Sequence, residues 1–181
     1  ASRAMFHISR GDYDKAIADQ TMVIKLSPED EVAYINRAAA RMAQKSYELA
    51  IRDYSEAIGL NPKQTRTYRQ RAVAWKLLGV NEKAVEDFDK AIQLDPKSAA
   101  AYIGRGFLWF QLDKPQKAVE DFSAVIALRP MEAMAFNNRG YNYRLLGQYR
   151  KALADFDRAL ELSPNYALAQ QNRSWVLSSA S

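Results

Sequence analysis

The sequence contains no cysteine and a single histidine, His7. Without thiols there is no disulfide framework, no thiolate metal cluster and no cysteine nucleophile, and the redox compartment stays undecided, the cytoplasm favoured over the periplasm or another soluble compartment. One histidine cannot build a histidine-rich zinc centre, and His7 falls in a column flanking the expected core, where packing is expected of it. Apolar runs are short: Phe107 to Phe110, four residues, is among the longest, against the roughly 20 that a spanning helix needs. No membrane insertion is expected. Glycine (7) and proline (6) are scarce among 181 residues, which excludes collagen and low-complexity linkers. No glycine-rich phosphate cradle, serine elbow or period-two alternation appears, so neither catalysis nor a bound cofactor is expected.

The remaining composition is that of a chain that folds, with 48% hydrophobic and 26% charged residues. Lys and Arg number 26 against 21 Asp and Glu, a net charge of +5. The two signs are interspersed along the chain, as on an ordinary solvated surface.

The few prolines carry the organisation. Pro28, Pro62, Pro96, Pro130 and Pro164 each follow the last by 34 residues, the mark of an internal repeat. The units are 31–64, 65–98, 99–132 and 133–166, preceded by a partial unit over 1–30 and followed by a segment from 167. Twelve residues ahead of the prolines stand Ala16, Ala50, Ala84, Ala118 and Ala152, and two ahead stand Leu26, Leu60, Leu94, Leu128 and Leu162. A second small column is Ala4, Ala38, Ala72, Gly106, Gly140 and Ser174, and aromatic columns hold Tyr34, Tyr68, Tyr102 and Phe136, then Tyr54, Phe88, Phe122 and Phe156. Within a unit the large and small apolar positions recur at spacings of three and four, twice over, which predicts a helical hairpin. Gly11, Gly79 and Gly147 fall between the two helices, and each periodic proline falls where the second must stop.

These columns resemble the tetratricopeptide repeat (TPR), and Gly-Asp-Tyr-Asp-Lys-Ala at 11–16 and Gly-Gln-Tyr-Arg-Lys-Ala at 147–152 carry the likeness most fully. Lys45 and Asp113 depart from it by replacing the turn glycine, as do Val23 and Val125 in a small-residue column; Pro115 opens a second helix, where its missing donor is tolerated. The resemblance implies an all-α fold, an α-solenoid of stacked antiparallel helical hairpins forming a TPR superhelix, as one domain over 1–181. A capping helix is expected over 167–179, with Trp175 packed on it. The partial first unit leaves an N-terminal end that upstream sequence, a partner or a second copy would cover, so a homo-oligomer through that end is one expectation.

In this family ligands usually lie in the concave groove, and the matching positions give a segregated surface. The second unit offers Ile35, Asn36 and Met42; the third offers Arg66, Arg69, Gln70 and Lys76. The fourth offers Ile103, Phe107 and Phe110, and the fifth Asn138, Tyr141 and Arg144. A basic band between apolar patches suits a protein or peptide ligand that is acidic and hydrophobic. Asn36, Gln70, Asn138 and Asn172, interrupted by Gly104, form a carboxamide column able to bond a peptide backbone. The two-carboxylate clamp that some members use for chaperone tails is not matched: its positions, read from the third unit, hold Arg69, Val73, Gly104, Met134 and Asn138. An RNA-binding helical repeat is the competing class, disfavoured by the lack of a continuous basic stripe; a self-associating assembly scaffold is the third. The unbroken columns Arg3, Arg37, Arg71, Arg105, Arg139, Arg173 and Asp19, Asp53, Asp87, Asp121, Asp155 are expected to pair structurally, bridging a hairpin or its neighbour.

Overall fold

The computed structural model describes residues 12–179. Gly11, His7, Ala4 and Arg3, and with them the expected N-terminal contact surface, lie outside the described residues. Ten helices and no strand occur among the described residues. The chain divides into two compact units, the first ending at Pro96 and the second beginning at Lys97.

The first unit contains α1 (Tyr13–Leu26), α2 (Glu31–Ala43), α3 (Tyr47–Leu60), α4 (Thr65–Leu78) and α5 (Asn81–Leu94). The second contains α6 (Ala99–Gln111), α7 (Pro115–Leu128), α8 (Ala133–Leu145), α9 (Tyr149–Leu162) and α10 (Ala167–Ser179). Helices α2/α3, α4/α5, α6/α7 and α8/α9 are the hairpins, and within each unit each hairpin also packs on the next. This is the hairpin stacking of an α-solenoid. The helix α10, expected as a cap, packs on α9 and touches α8.

Helix ends follow from the repeat. Every second helix that a periodic proline follows stops at the leucine two residues before it, because proline lacks the donor and disfavours a helical residue ahead of it. Asp30 begins α2 by accepting from the backbone N–H of Val32 (2.9 Å) and Ala33 (3.2 Å), an N-cap. Each hairpin turn needs a left-handed residue. Gly79 (φ 83°) and Gly147 (φ 70°) supply it without cost, whereas Lys45 (φ 61°) and Asp113 (φ 53°) adopt the same conformation with a side chain, which costs about 1 kcal/mol each.

Burial follows the columns. Ala16, Ala50, Ala84, Ala118 and Ala152 are fully buried, as are Ala38 and Ala72. Tyr54, Phe88, Phe122 and Phe156 fill the space between helices. Gly106 and Gly140 stand where Ala38 and Ala72 stand in the first unit, because a Cβ at Gly106 would lie 3.2 Å from the Phe122 ring and one at Gly140 would lie 2.8 Å from that of Phe156.

The arginine and aspartate columns pair within each hairpin, sixteen residues apart. Arg37 donates from Nε and Nη2 to Asp53 at 3.0 and 2.7 Å, Arg71 to Asp87 at 2.8 and 2.7 Å, Arg105 to Asp121 at 3.0 and 2.6 Å, and Arg139 to Asp155 at 2.8 and 2.7 Å. These are bidentate contacts to buried carboxylates. The bonds to Asp87 and Asp155 hold Arg71 and Arg139 more firmly protonated than a free guanidinium. The third nitrogen reaches back to the preceding hairpin: Nη1 donates to Thr21 from Arg37 (3.1 Å), to Ser55 from Arg71 (2.9 Å) and to Ser123 from Arg139 (3.2 Å). The hydroxyl column is a partner that reading arginine and aspartate alone does not reveal. On α10 the pattern inverts, and Arg173 donates from Nε to Asp157, sixteen residues earlier, at 2.5 Å.

Candidate functional site

Each unit carries a hollow lined by groups expected to bind. In the first unit a shallow depression of about 270 Å³ lies over Ala39, Met42, Tyr54, Arg69, Gln70 and Val73. Its floor is Tyr54, whose buried hydroxyl is pushed up to about 12 by desolvation, with Arg66 drawing it partly back. The Oε1 of Gln70 is buried there without a hydrogen-bond partner. Met42 and Ile35 are half-buried and pack against the Ala38, Ala50 and Tyr54 cluster. Asn36, Arg66 and Lys76 lie outside the depression, Arg66 being exposed.

The second unit holds a deeper pocket of about 450 Å³. Its walls are aromatic: Phe107 and Phe110 from α6, Tyr141 from α8 and Trp175 from α10. Phe107 stands edge-on to the buried Phe122 with centroids 5.5 Å apart, and Phe110 edge-on to Tyr141 at 5.4 Å, the arrangement that ring quadrupoles favour. Arg144 lies against two rings, its Cζ 4.4 Å from the Tyr141 centroid and 4.3 Å from that of Trp175. A guanidinium held against aromatic rings makes its hydrogen bonds through its N–H edges. Its Nε is buried and has no acceptor.

One side of the pocket is a carboxamide cluster. Asn172 donates from Nδ2 to Oδ1 of Asn137 at 3.0 Å, Asn137 donates to Oδ1 of Asn138 at 3.3 Å, and Asn142 donates to the backbone carbonyl of Asn138 at 2.8 Å. Of the carboxamide column read from the sequence, Asn138 and Asn172 lie here, and both take part in hydrogen bonds within the protein. Asn142 is buried, and its Oδ1 has no partner.

Of the residues singled out in the sequence, the second unit's pocket brings together Phe107, Phe110, Asn138, Tyr141 and Arg144, and the first unit's depression brings together Met42, Arg69 and Gln70. Ile103 lies outside the pocket of its unit. Trp175, expected to pack, meets Tyr149 and Arg144 but is 44% exposed and forms a pocket wall, while Ala169 and Val176 are the side chains buried under α10. A signal for it existed, since Ala39, Val73, Phe107, Tyr141 and Trp175 occupy one column of the 34-residue period. Asn142 was also legible: its column otherwise reads Ala40, Ala74, Leu108 and Val176, all buried and apolar. Among the described residues no group of histidine, cysteine and carboxylates is arranged to hold a metal ion, and no helix is long and apolar enough to cross a membrane.

Sequence profiles described as tetratricopeptide repeat match residues 32–64, 73–130 and 133–166. No curated protein matches the sequence. Among solved structures, the chain is similar to MamA, with a TM-score of 0.84 at 22% identity over 92% of this chain and 98% of that one. It is similar to YrrB, described as a TPR protein with an unusual peptide-binding site, with a TM-score of 0.79 at 20% identity over 94% and 88%. The first TPR of Spaghetti (RPAP3), bound to the HSP90 peptide SRMEEVD, gives 0.62 at 22% identity over 65% and 94%. With hairpins repeating in phase and profiles matching most of its length, the chain belongs to the tetratricopeptide repeat family, whose members generally act as non-enzymatic scaffolds for protein–protein interaction.

Proposed function

We propose that this chain is an adaptor that captures a protein segment combining acidic and bulky apolar side chains, on the helix faces that carry the residues singled out above. The observation that carries this reading is the second unit's pocket, in which Phe107, Phe110, Tyr141 and Trp175 surround a cavity of about 450 Å³ beside Arg144. Half-exposed aromatic rings converging on one cavity are an unfavourable surface unless something covers them, and anchor residues at interfaces are of this kind. In the first unit, Met42, Arg69 and Gln70 supply apolar and polar contacts, with Ile35, Asn36, Arg66 and Lys76 beside them; Ile103 and Asn138 extend the surface of the second. That YrrB and the RPAP3 repeat are described with a peptide-binding site and a bound peptide is consistent with a peptide ligand here. The ligand differs from a chaperone tail, since the clamp positions hold Val73, Gly104 and Met134 among them.

The test is retention of an open library of amidated 12-residue peptides on the immobilised chain. Wild type is expected to retain acidic-apolar sequences. The double variant Arg69→Glu/Lys76→Glu and the single variant Phe110→Asp should each lose most of that retention while their circular dichroism stays helical. Equal retention by all three proteins would refute the assignment of these faces.

A further inference from the structure

We infer that the second unit's pocket is a receptor for a carboxylate standing next to a bulky apolar side chain, with the edge of Arg144 as the carboxylate's partner. This rests on the capture reading above and specifies where within it the negative charge is read.

The arginines with structural roles show by contrast what Arg144 is for. Arg37, Arg71, Arg105 and Arg139 each engage an aspartate, and Arg173 engages Asp157. Among the described residues no carboxylate pairs with Arg144, and of the groups lining the pocket it alone carries a formal charge. A cation in a concave, aromatic-walled site without a counter-ion attracts an anion, and low-dielectric walls strengthen that attraction. The rings of Tyr141 and Trp175 both lie against the guanidinium, with centroids 4.4 and 4.3 Å from Cζ. Its N–H edge is a planar row of donors, which two oxygens of a carboxylate match side by side. The same ring contacts hold the group in place before any ligand arrives, so little ordering entropy is lost on binding.

The neighbouring space defines the other half of the ligand. Phe107 and Phe110 face it at 38% and 39% exposure, and Leu168 adds an exposed aliphatic edge. A cavity of this volume is at the lower end of the range for ligand pockets and accepts a large side chain. The amides of Asn137, Asn138 and Asn172 are engaged with one another, which leaves Arg144 as the strong donor still uncommitted.

Three acetylated, amidated nonapeptide libraries, degenerate except for a central Glu-Phe, Gln-Phe or Glu-Ala, test this against the full chain. Blocked ends confine the negative charge under test to the side chain. Wild type is expected to retain Glu-Phe at least about tenfold over both others, the range for a hydrogen-bonded charge pair. Arg144→Gln should reduce Glu-Phe to the level of Gln-Phe, and Arg144→Lys, which keeps the charge but not the planar fork, should lose most of the preference. Thermal melts confirm that both variants fold; the Lys variant keeps the comparison valid if the Gln variant does not. Equal retention of Glu-Phe and Gln-Phe by wild type, or a preference that survives Arg144→Gln, would overturn the inference while leaving peptide capture standing. A site that responds to inorganic phosphate but shows no Glu-Phe preference is a different anion receptor, and also overturns it. Retention of no sequence here or in the open library sinks both readings together.

Discussion

The two units use the same slots for different chemistry. Nine residues into successive repeats the first unit places Ala39 and Val73, the second Phe107 and Tyr141; three residues later the first places Met42 and Lys76, the second Phe110 and Arg144. The result is a shallow depression in one and an aromatic pocket of about 450 Å³ in the other. The packing columns hardly change between the units, which keep the buried alanine of the second helix and the arginine–aspartate pair alike. Scaffold and surface are therefore written in separate columns, and each can change while the other stays constant.

Where the packing columns do differ, the difference can be broken experimentally. The largest effect is expected at the ion pairs. Asp53 accepts from both Arg37 and Arg41 (2.7 Å each), whereas Asp155 accepts from Arg139. Asp53→Ala should cost about 3–5 kcal/mol in chemical denaturation, since removing one partner leaves buried charge uncompensated. Burial already lowers the affinity of Arg41 for its proton, which makes the first unit the more sensitive. Asp155→Ala should cost less; equal or reversed losses would show that the second arginine adds nothing.

A smaller contrast concerns pH. In this aromatic column the first unit has Tyr54 and Phe88, and the second has Phe122 and Phe156. Because burial raises the Tyr54 hydroxyl to about 12 from an ordinary value of 10.0, the folded protein holds that proton where the unfolded chain has released it. The contribution is complete below pH 10 and is lost as pH rises towards 12, about 2–3 kcal/mol over the interval. Tyr54→Phe, which copies the second unit, should flatten this part of the alkaline stability profile; an unchanged slope would assign the loss elsewhere.

The smallest effect sharpens the glycine substitutions. Alanine fits at Ala38 and Ala72, but at Gly140 a Cβ would meet Phe156 at 2.8 Å and Asp155 Cβ at 3.1 Å. Gly140→Ala should lower stability by about 1 kcal/mol, overpacking outweighing the gain in helix propensity. Gly106→Ala, with its nearest contact at 3.2 Å, should be near neutral. A higher melting temperature for Gly140→Ala would mean that the ring swings aside without cost.

The fold was legible because it repeats: five prolines in phase and alanine columns state the same geometry several times. Lys45 and Asp113 were readable as turn residues through their register with Gly79 and Gly147; aspartate tolerates a left-handed backbone better than most side chains, and lysine gives no such signal. The site was partly legible. Phe107, Phe110, Tyr141 and Arg144 stand out because large or charged groups break the pattern of their columns. Ile35 rests against the Ala38, Ala50 and Tyr54 cluster and Ile103 lies outside the pocket of its unit, a difference hidden in sequence, where an aliphatic at an inward position looks the same whether it lines a hollow or rests on the core. Trp175 and Asn142 were missed for opposite reasons. A tryptophan on a terminal helix suggests cover for the stack, and an asparagine in a core column is hidden among residues assigned to packing. Thr21, Ser55 and Ser123 escaped notice because a short hydroxyl looks the same in sequence whether it meets solvent or a guanidinium.

That three-way arginine joint bears on how such a chain can lengthen or shorten. Arg71 stands to Ser55 and Asp87 as Arg37 stands to Thr21 and Asp53. Excising residues 31–64 would bring Thr21 to the guanidinium of Arg71 with every spacing preserved, so a whole module can be dropped or duplicated and the seam heals from parts already present. Loss of a number of residues that is not a multiple of 34 breaks that register, which makes the repeat, rather than the residue, the natural unit of insertion and deletion in this molecule.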